Sequence, residues 1–258
     1  MHILVVSRPR CRTSFLSMAY KEHYNLDYLH EVFSNSIDNL WMQVKIIKNS
    51  NTLEELQKIH IRRLTNIGSK IFTLDNTISK LFSRDLITQY SPKHTFLNIE
   101  DFNYRCVSNV SEILQLDKYD QILLLERNFI DSAMSYIYGK IVGVMLFERH
   151  NSKNFYQQKL KPITITKEQL NILNFYIIEY LVDQNLKKFL ETRYSCVKLD
   201  YDEIPDYVND KFNNSETNYY MNLGIDYKKS IVNYNEVLEY INIKLQEYSS
   251  TYIPTDFI

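Results

Sequence analysis

The chain of 258 residues holds only four glycines, Gly68, Gly139, Gly143 and Gly224, too few and too scattered for a glycine-rich loop. The nucleoside triphosphate motif GxxxxGK[ST] is absent, with neither its glycines nor its lysine present, which disfavours an ATPase or kinase of that type. Cysteine is also scarce. Cys11, Cys106 and Cys196 stand far apart with no CxxC spacing, which argues against a structural zinc site. An odd, low count argues against a disulfide scaffold and suits a reducing, cytoplasmic compartment. Long apolar runs are missing too. The most apolar stretches are broken by Lys140, Asn174 and Glu179, so none reaches the roughly 18 residues of a membrane span. No leader segment is expected, because the chain enters Ile3-Leu4-Val5-Val6 directly. Charge of one sign is not in excess either: 30 Lys and Arg face 31 Asp and Glu. That balance argues against nucleic acid as a partner while leaving room for a local basic pocket. There is no repeat, low-complexity tract or linker, so residues 1–258 are read as one domain.

Strands alternating with helices are what is present. Ile3 to Val6 is a short β-branched run closed by Pro9, the mark of a buried parallel strand. From Thr13 the pattern turns helical through Phe15, Leu16 and Ala19, with Thr13 or Ser14 placed to cap. Asp27 to Ser34 reads as a second strand. Thr52 to Glu55 fits a capping box ahead of a helix through Leu53, Leu56 and Leu64. Lys70 to Leu74 reads as a third strand, followed by a helix from Thr77 to Ile87. Gln121 to Leu125 is a clear strand. It leads into a helix through Met134, Ile137 and Ile141 that Asn128 or Asp131 can cap. Thr166 to Gln169 is a second capping box, opening a long helix to Leu190. Ser195 to Leu199 is a fifth strand, and a last helix spans Asn235 to Tyr248. The expected fold is α/β, a central, mostly parallel sheet of about five strands flanked by helices.

Two segments carry chemistry. In the first, Arg8, Arg10 and Arg12 crowd the turn between the first strand and the first helix, and Thr13 and Ser14 add hydroxyls. A helix N-terminus offers unpaired N–H groups and partial positive charge, and clustered arginines repel one another unless an anion joins them. That is the physical case for expecting a phosphate or sulfate at this turn, against the plainer reading of an arginine-rich turn on a solvated surface. In the second, Arg127 follows a strand and Ser135 lies about two turns into the next helix. An arginine there can grip phosphate through two nitrogens.

Pro9-Arg10-Cys11-Arg12-Thr13-Ser14 resembles the loop with which sulfotransferases hold the 5′-phosphate of 3′-phosphoadenosine 5′-phosphosulfate (PAPS), written P-[RK]-[ST]-G-[TS]-[TS]. Cys11 stands in place of a hydroxyl residue and Arg12 in place of glycine. Arg127, Asn128, Asp131 and Ser135 match that family's 3′-phosphate pattern RN-x-x-D-x-x-x-S. Glu31-Val32-Phe33 is similar to its Glu-Pro-Phe segment, and Tyr201-Asp202-Glu203-Ile204 to its Tyr-Glu-Asp-Leu. The resemblance implies the nucleotide-kinase-like fold of the family and PAPS as co-substrate, with no metal. The sulfuryl acceptor would be a hydroxyl or amine on a carbohydrate or small molecule. It places Arg8, Arg10, Cys11, Arg12, Thr13, Ser14, Arg127, Ser135 and Lys228 around the nucleotide, Lys228 with Lys229 standing for a basic loop. Arg10 would stabilise the departing phosphate, and Glu31 would take the acceptor proton, with His30, His60 and His94 as competitors. Trp41, the one tryptophan, has no assigned place. Acceptor loops are expected at 91–109 and 149–162. A P-loop-type kinase and a catalytically degenerate nucleotide-binding protein of the same fold are the alternatives.

Overall fold

A computed structural model describes residues 1–29, 32–33, 53–90, 103–106, 109–143, 161–212 and 225–251. Its centre is β1 (His2–Ser7), in which Ile3 through Ser7 are all buried. Ile3 and Val5 join one apolar cluster, and Leu4 and Val6 join another. A strand buried on both faces must be apolar on both, hence the unbroken run.

Around it lies a sheet of five strands in the order β2-β3-β1-β6-β7, every pairing parallel. The other strands are β2 (Asp27–Tyr28), β3 (Thr77–Phe82), β6 (Gln121–Glu126) and β7 (Cys196–Asp200). An antiparallel pair, β4 (Ile87–Tyr90) with β5 (Asn103–Cys106), stands apart.

Helices cover both faces. Against Ile3, Val5, Ile78, Leu123 and Leu125 pack α1 (Thr13–Tyr24) and α6 (Ile204–Phe212). The other face carries α2 (Leu53–Ile71), α3 (Val110–Leu114), α4 (Phe129–Val142), α5 (Lys167–Arg193) and α8 (Tyr234–Thr251). The short α7 (Tyr227–Ser230) precedes α8. The α/β class and the five-stranded parallel sheet are as expected. Among the described residues, no helix is long and apolar enough to cross a membrane.

Local signals account for most boundaries. The Thr166 side chain accepts from the Gln169 N–H and the Gln169 side chain from the Thr166 N–H, the reciprocal box that opens α5. The Asn128 side chain accepts from the Asp131 N–H to open α4. Helix α1 is different: neither Thr13 nor Ser14 caps it. The cap position is Arg12, in left-handed backbone and without a side-chain cap.

Three expectations are corrected. Lys70 to Leu74 is not a strand, since α2 runs to Ile71 and turns. The strand is Thr77–Phe82, where a helix was expected. Ile78, Leu81 and Phe82 have helical spacing, but the intervening Ser79 and Lys80 are buried rather than solvated. Ser79 Oγ donates to the Ile3 carbonyl, so a polar residue does not mark an outward face here. Of the second strand expected over Asp27–Ser34, Asp27 and Tyr28 pair and Val32 and Phe33 form a turn, while His30, Glu31 and Ser34 lie outside the described residues.

Leu173, wholly buried on α5, tests the packing of that helix on the sheet. Leu173→Ala is expected to lower stability by roughly 2–5 kcal/mol, read as a fall in the urea unfolding midpoint with unchanged slope.

Candidate anion site at the sheet edge

Strand order places the site. The chain leaves β1 toward β2 and β3 on one side, while β6 leads on to β7 on the other. Connections that diverge from two neighbouring strands leave a crevice beyond their carboxyl ends, where ligands of open α/β sheets bind. The two sequence motifs end β1 and β6, and they meet there: an Arg127 Nη donates to the Arg10 carbonyl at 2.9 Å.

Residues 8–12 form a turn with two left-handed positions, Arg10 at φ 72° and Arg12 at φ 56°. Each is a conformation that glycine reaches more cheaply, at a cost of about 1–2 kcal/mol for other residues. Strained backbone of this kind gathers at ligand sites. The left-handed Arg12 sends its guanidinium to β7, where it donates to the Tyr201 carbonyl and lies 3.9 Å from the Tyr201 ring centroid. Arg127 lies 4.2 Å from the same centroid. Two guanidiniums thus gather at one aromatic ring. Arg10 is turned the other way, toward Tyr227, Tyr176 and Tyr136. Burial holds its guanidinium below the ordinary arginine value, and the charge of Arg127 pushes the same way while the tyrosines oppose it. An anion at this edge would relieve both effects.

The structure separates the remaining expected residues. Arg8 does not face the crevice. It is 1 % exposed and runs inward, with Nε 3.2 Å from Asp183 Oδ2. Its two Nη atoms donate to Ser132 Oγ and to the Arg127 carbonyl, each at 3.0 Å. Asp183 also binds Lys187 Nζ at 2.9 Å and accepts from Ser83 Oγ, and Lys187 donates to the Leu125 carbonyl at 2.6 Å. The charge of Arg8 is therefore offset by protein, and the turn is less crowded with cations than its sequence implies.

Cys11 is likewise inward: its side chain is fully buried in the α1 face of the core, and burial raises its thiol pKa. Only its backbone is left to line the turn. Thr13 is buried with Oγ1 3.3 Å from Ser7 Oγ. Ser14 is exposed, and its Oγ accepts from Lys80 Nζ at 2.9 Å.

In α4 the serine that engages the arginines is Ser132, through Arg8, whereas Ser135 is half-buried on the next turn. Lys228 is exposed on α7, and it is the neighbouring Tyr227 that faces Arg10. Glu31, with His30, His94 and Trp41, lies outside the described residues, as do 91–102, 107–108 and 149–160 of the two expected acceptor loops. His60 is buried, with Nε2 2.7 Å from the Asp85 carbonyl. Its pKa is lowered to about 4, mainly by burial and also by Arg63. A histidine turned into a carbonyl in this way is structural.

Lys80, Asp183 and Glu179 carry weight that sequence reasoning missed. Lys80 is 1 % exposed on β3 and adds an ammonium beside the start of α1. It was hidden because its strand was read as helix. Glu179, Asp183 and Lys187 repeat every fourth residue on the buried side of α5. Charged groups at that interval among Leu173, Ile177, Leu186 and Leu190 are the signal that pointed to them.

No family model matches the chain, and neither a curated protein nor a solved structure matches it.

Asp183 is the shared partner of two buried cations. Asp183→Ala leaves both uncompensated, with an expected loss of roughly 3–5 kcal/mol, measured by chemical unfolding. A loss below ~1 kcal/mol would show that Arg8 and Lys187 find other partners.

Proposed function

We propose that the chain is a PAPS-dependent sulfotransferase, moving a sulfuryl group to a hydroxyl or amine of a carbohydrate or small molecule. The observation that carries this reading is the Arg127–Arg10 hydrogen bond. Two motifs that resemble the 5′- and 3′-phosphate elements of one family, 117 residues apart along the chain, share one sheet edge. Their cations fit a ligand with two phosphate groups. Arg10, the N–H groups that open α1, Ser14 and Lys80 suit the 5′-phosphate. Arg127 suits the 3′-phosphate, and Tyr201 between Arg12 and Arg127 offers a flat surface beside it.

In the transfer, the S–O bond to the 5′-phosphate breaks as a new bond forms from sulfur to the acceptor atom, and the acceptor proton leaves to a base. Negative charge grows on the departing phosphate. The work of this chain is to place positive charge there in advance, so that nothing need reorganise when the charge arrives. Arg10, half-buried and crowded by Arg127, is suited to that. Glu31 stays the proposed base by its place after β2. Loss of turnover with retained binding is the second reading, favoured by the commitment of Arg12 to the Tyr201 carbonyl at the position where the family carries glycine.

Titration calorimetry with 3′-phosphoadenosine 5′-phosphate (PAP) tests the reading. The wild type is expected to bind. Arg10→Ala and Arg127→Ala are each expected to weaken binding by about 10- to 100-fold, the loss of one charge-assisted contact. Unchanged affinity in both variants, or no binding by the wild type, would overturn it. Binding without turnover across a panel of acceptors would favour the second reading.

A further inference from the structure

One buried charge is unaccounted for. Asp183 accepts from Arg8, Ser83 and Lys187, yet Glu179, one turn earlier on the same helix side, has no comparable set. Glu179 is 1 % exposed, and its Oε1 is buried without a hydrogen-bond partner among the described residues.

Among the described residues, the titratable groups that face it come from four places. Arg8 follows β1, Arg84 and Asp85 lie on the turn after β3, Tyr136 is on α4, and Tyr176 and Asp183 are on α5 itself. Around this stretch of α5 the cations Arg8, Arg84 and Lys187 stand against the carboxylates Asp183 and Asp85, so the charge count does not by itself favour the neutral acid. Lys187, further along the helix, is held by Asp183 and the Leu125 carbonyl. Burial is what favours the neutral acid: an ionised Glu179 would hold an unsolvated oxygen that no hydrogen bond among the described residues compensates.

This position is wired to the anion edge. The guanidinium of Arg8 touches Asp183 on one side and the Arg127 carbonyl on the other. Tyr136 and Tyr176 face both Glu179 and Arg10, and Tyr176 Oη donates to the Pro9 carbonyl at 3.3 Å.

We propose that Glu179 is a proton-operated control on anion binding at the Arg10–Arg127 edge. Protonated, it leaves the cations of the edge available to the ligand. Ionised, it adds a negative charge behind them and opposes an anion. The inference rests on the anion site proposed above, though not on which anion fills it. Burial pushes the Glu179 carboxyl up to about 8, which puts the change between neutral and mildly alkaline pH. The sign for folding is the same: a pKa raised above the unfolded value favours the fold below about pH 4.5, and that contribution fades as pH rises to about 8. Coupling is reciprocal, so a bound anion must shift the Glu179 titration upward.

The test uses the whole chain and two probes: inorganic sulfate, fully ionised from pH 7 to 9, and PAP, whose phosphate monoesters, with a second pKa of about 6, gain the last of their charge just above pH 7. Wild-type affinity for each is expected to fall roughly five-fold over that range, while Glu179→Gln holds the pH 7 affinity throughout. In parallel, the infrared carbonyl band of a protonated carboxyl is followed through pH, with and without saturating sulfate. It is expected at pH 7 in wild type only, with a midpoint that sulfate raises. Sulfate binding and a shifted midpoint without PAP binding would support the control and reject the nucleotide reading. An identical pH profile in Glu179→Gln, a midpoint that sulfate does not move, or no binding of either anion would overturn the proposal.

Discussion

Arg8 and Asp183 hold the functional edge in place. Arg8 is the residue after β1, Asp183 is deep in α5, and they are 175 positions apart. Their pairing sets how the turn after β1 sits against the helix layer, and the same guanidinium reaches the Arg127 carbonyl and Ser132. One planar group with several donors thus fixes the ends of β1, β6 and α4 together. A buried pair of this kind adds little net stability over an apolar replacement, but it is costly to break. Its contribution here is placement. The stacking of Phe129 on Tyr180 at 4.1 Å and of Tyr136 on Tyr176 at 4.5 Å fastens α4 to α5 on either side of it.

The turn that this pair anchors is strained. Two arginines occupy left-handed backbone within three residues, and the chain has no glycine there to lower the cost. What the strain achieves is direction. Arg10 is sent toward the tyrosines of α4, α5 and α7, and Arg12 toward Tyr201 at the end of β7. Side chains that would otherwise crowd one spot are spread along an edge. The turn runs straight into α1, which leaves its first N–H donors without intrahelical partners. The geometry is that of a cradle with cations at both ends, and it stands where the strand order opens a crevice.

Much of the scaffold was legible in the chain. Ile3–Val6 reads as a buried parallel strand and Gln121–Leu125 as a clear strand, and both are strands of the central sheet. The box at Thr166–Gln169 opens α5 as its residues indicate, and Asn128 caps α4. The reading failed at Thr77–Phe82, because hydrophobic periodicity treats a polar residue as an outward one. Lys80 and Ser79 are polar and inside, held by Ser14 and the Ile3 carbonyl. The same blindness hid the charged stripe of α5, where Glu179, Asp183 and Lys187 sit among apolar neighbours.

Local pattern alone specifies that an arginine-rich turn joins a buried strand to a helix, and that a second arginine leaves a later strand. Which arginine turns inward and which stays at the turn depends on the packed fold. Arg8 and Cys11 are adjacent in sequence to Arg10 and Arg12, yet they point inward, because the left-handed backbone at Arg10 and Arg12 alternates the side chains across the turn. Arg127 joins Arg10 because parallel pairing of β1 with β6 aligns their carboxyl ends. Side-chain direction and strand adjacency are set by contacts over a hundred residues apart, which is why no local pattern carries them.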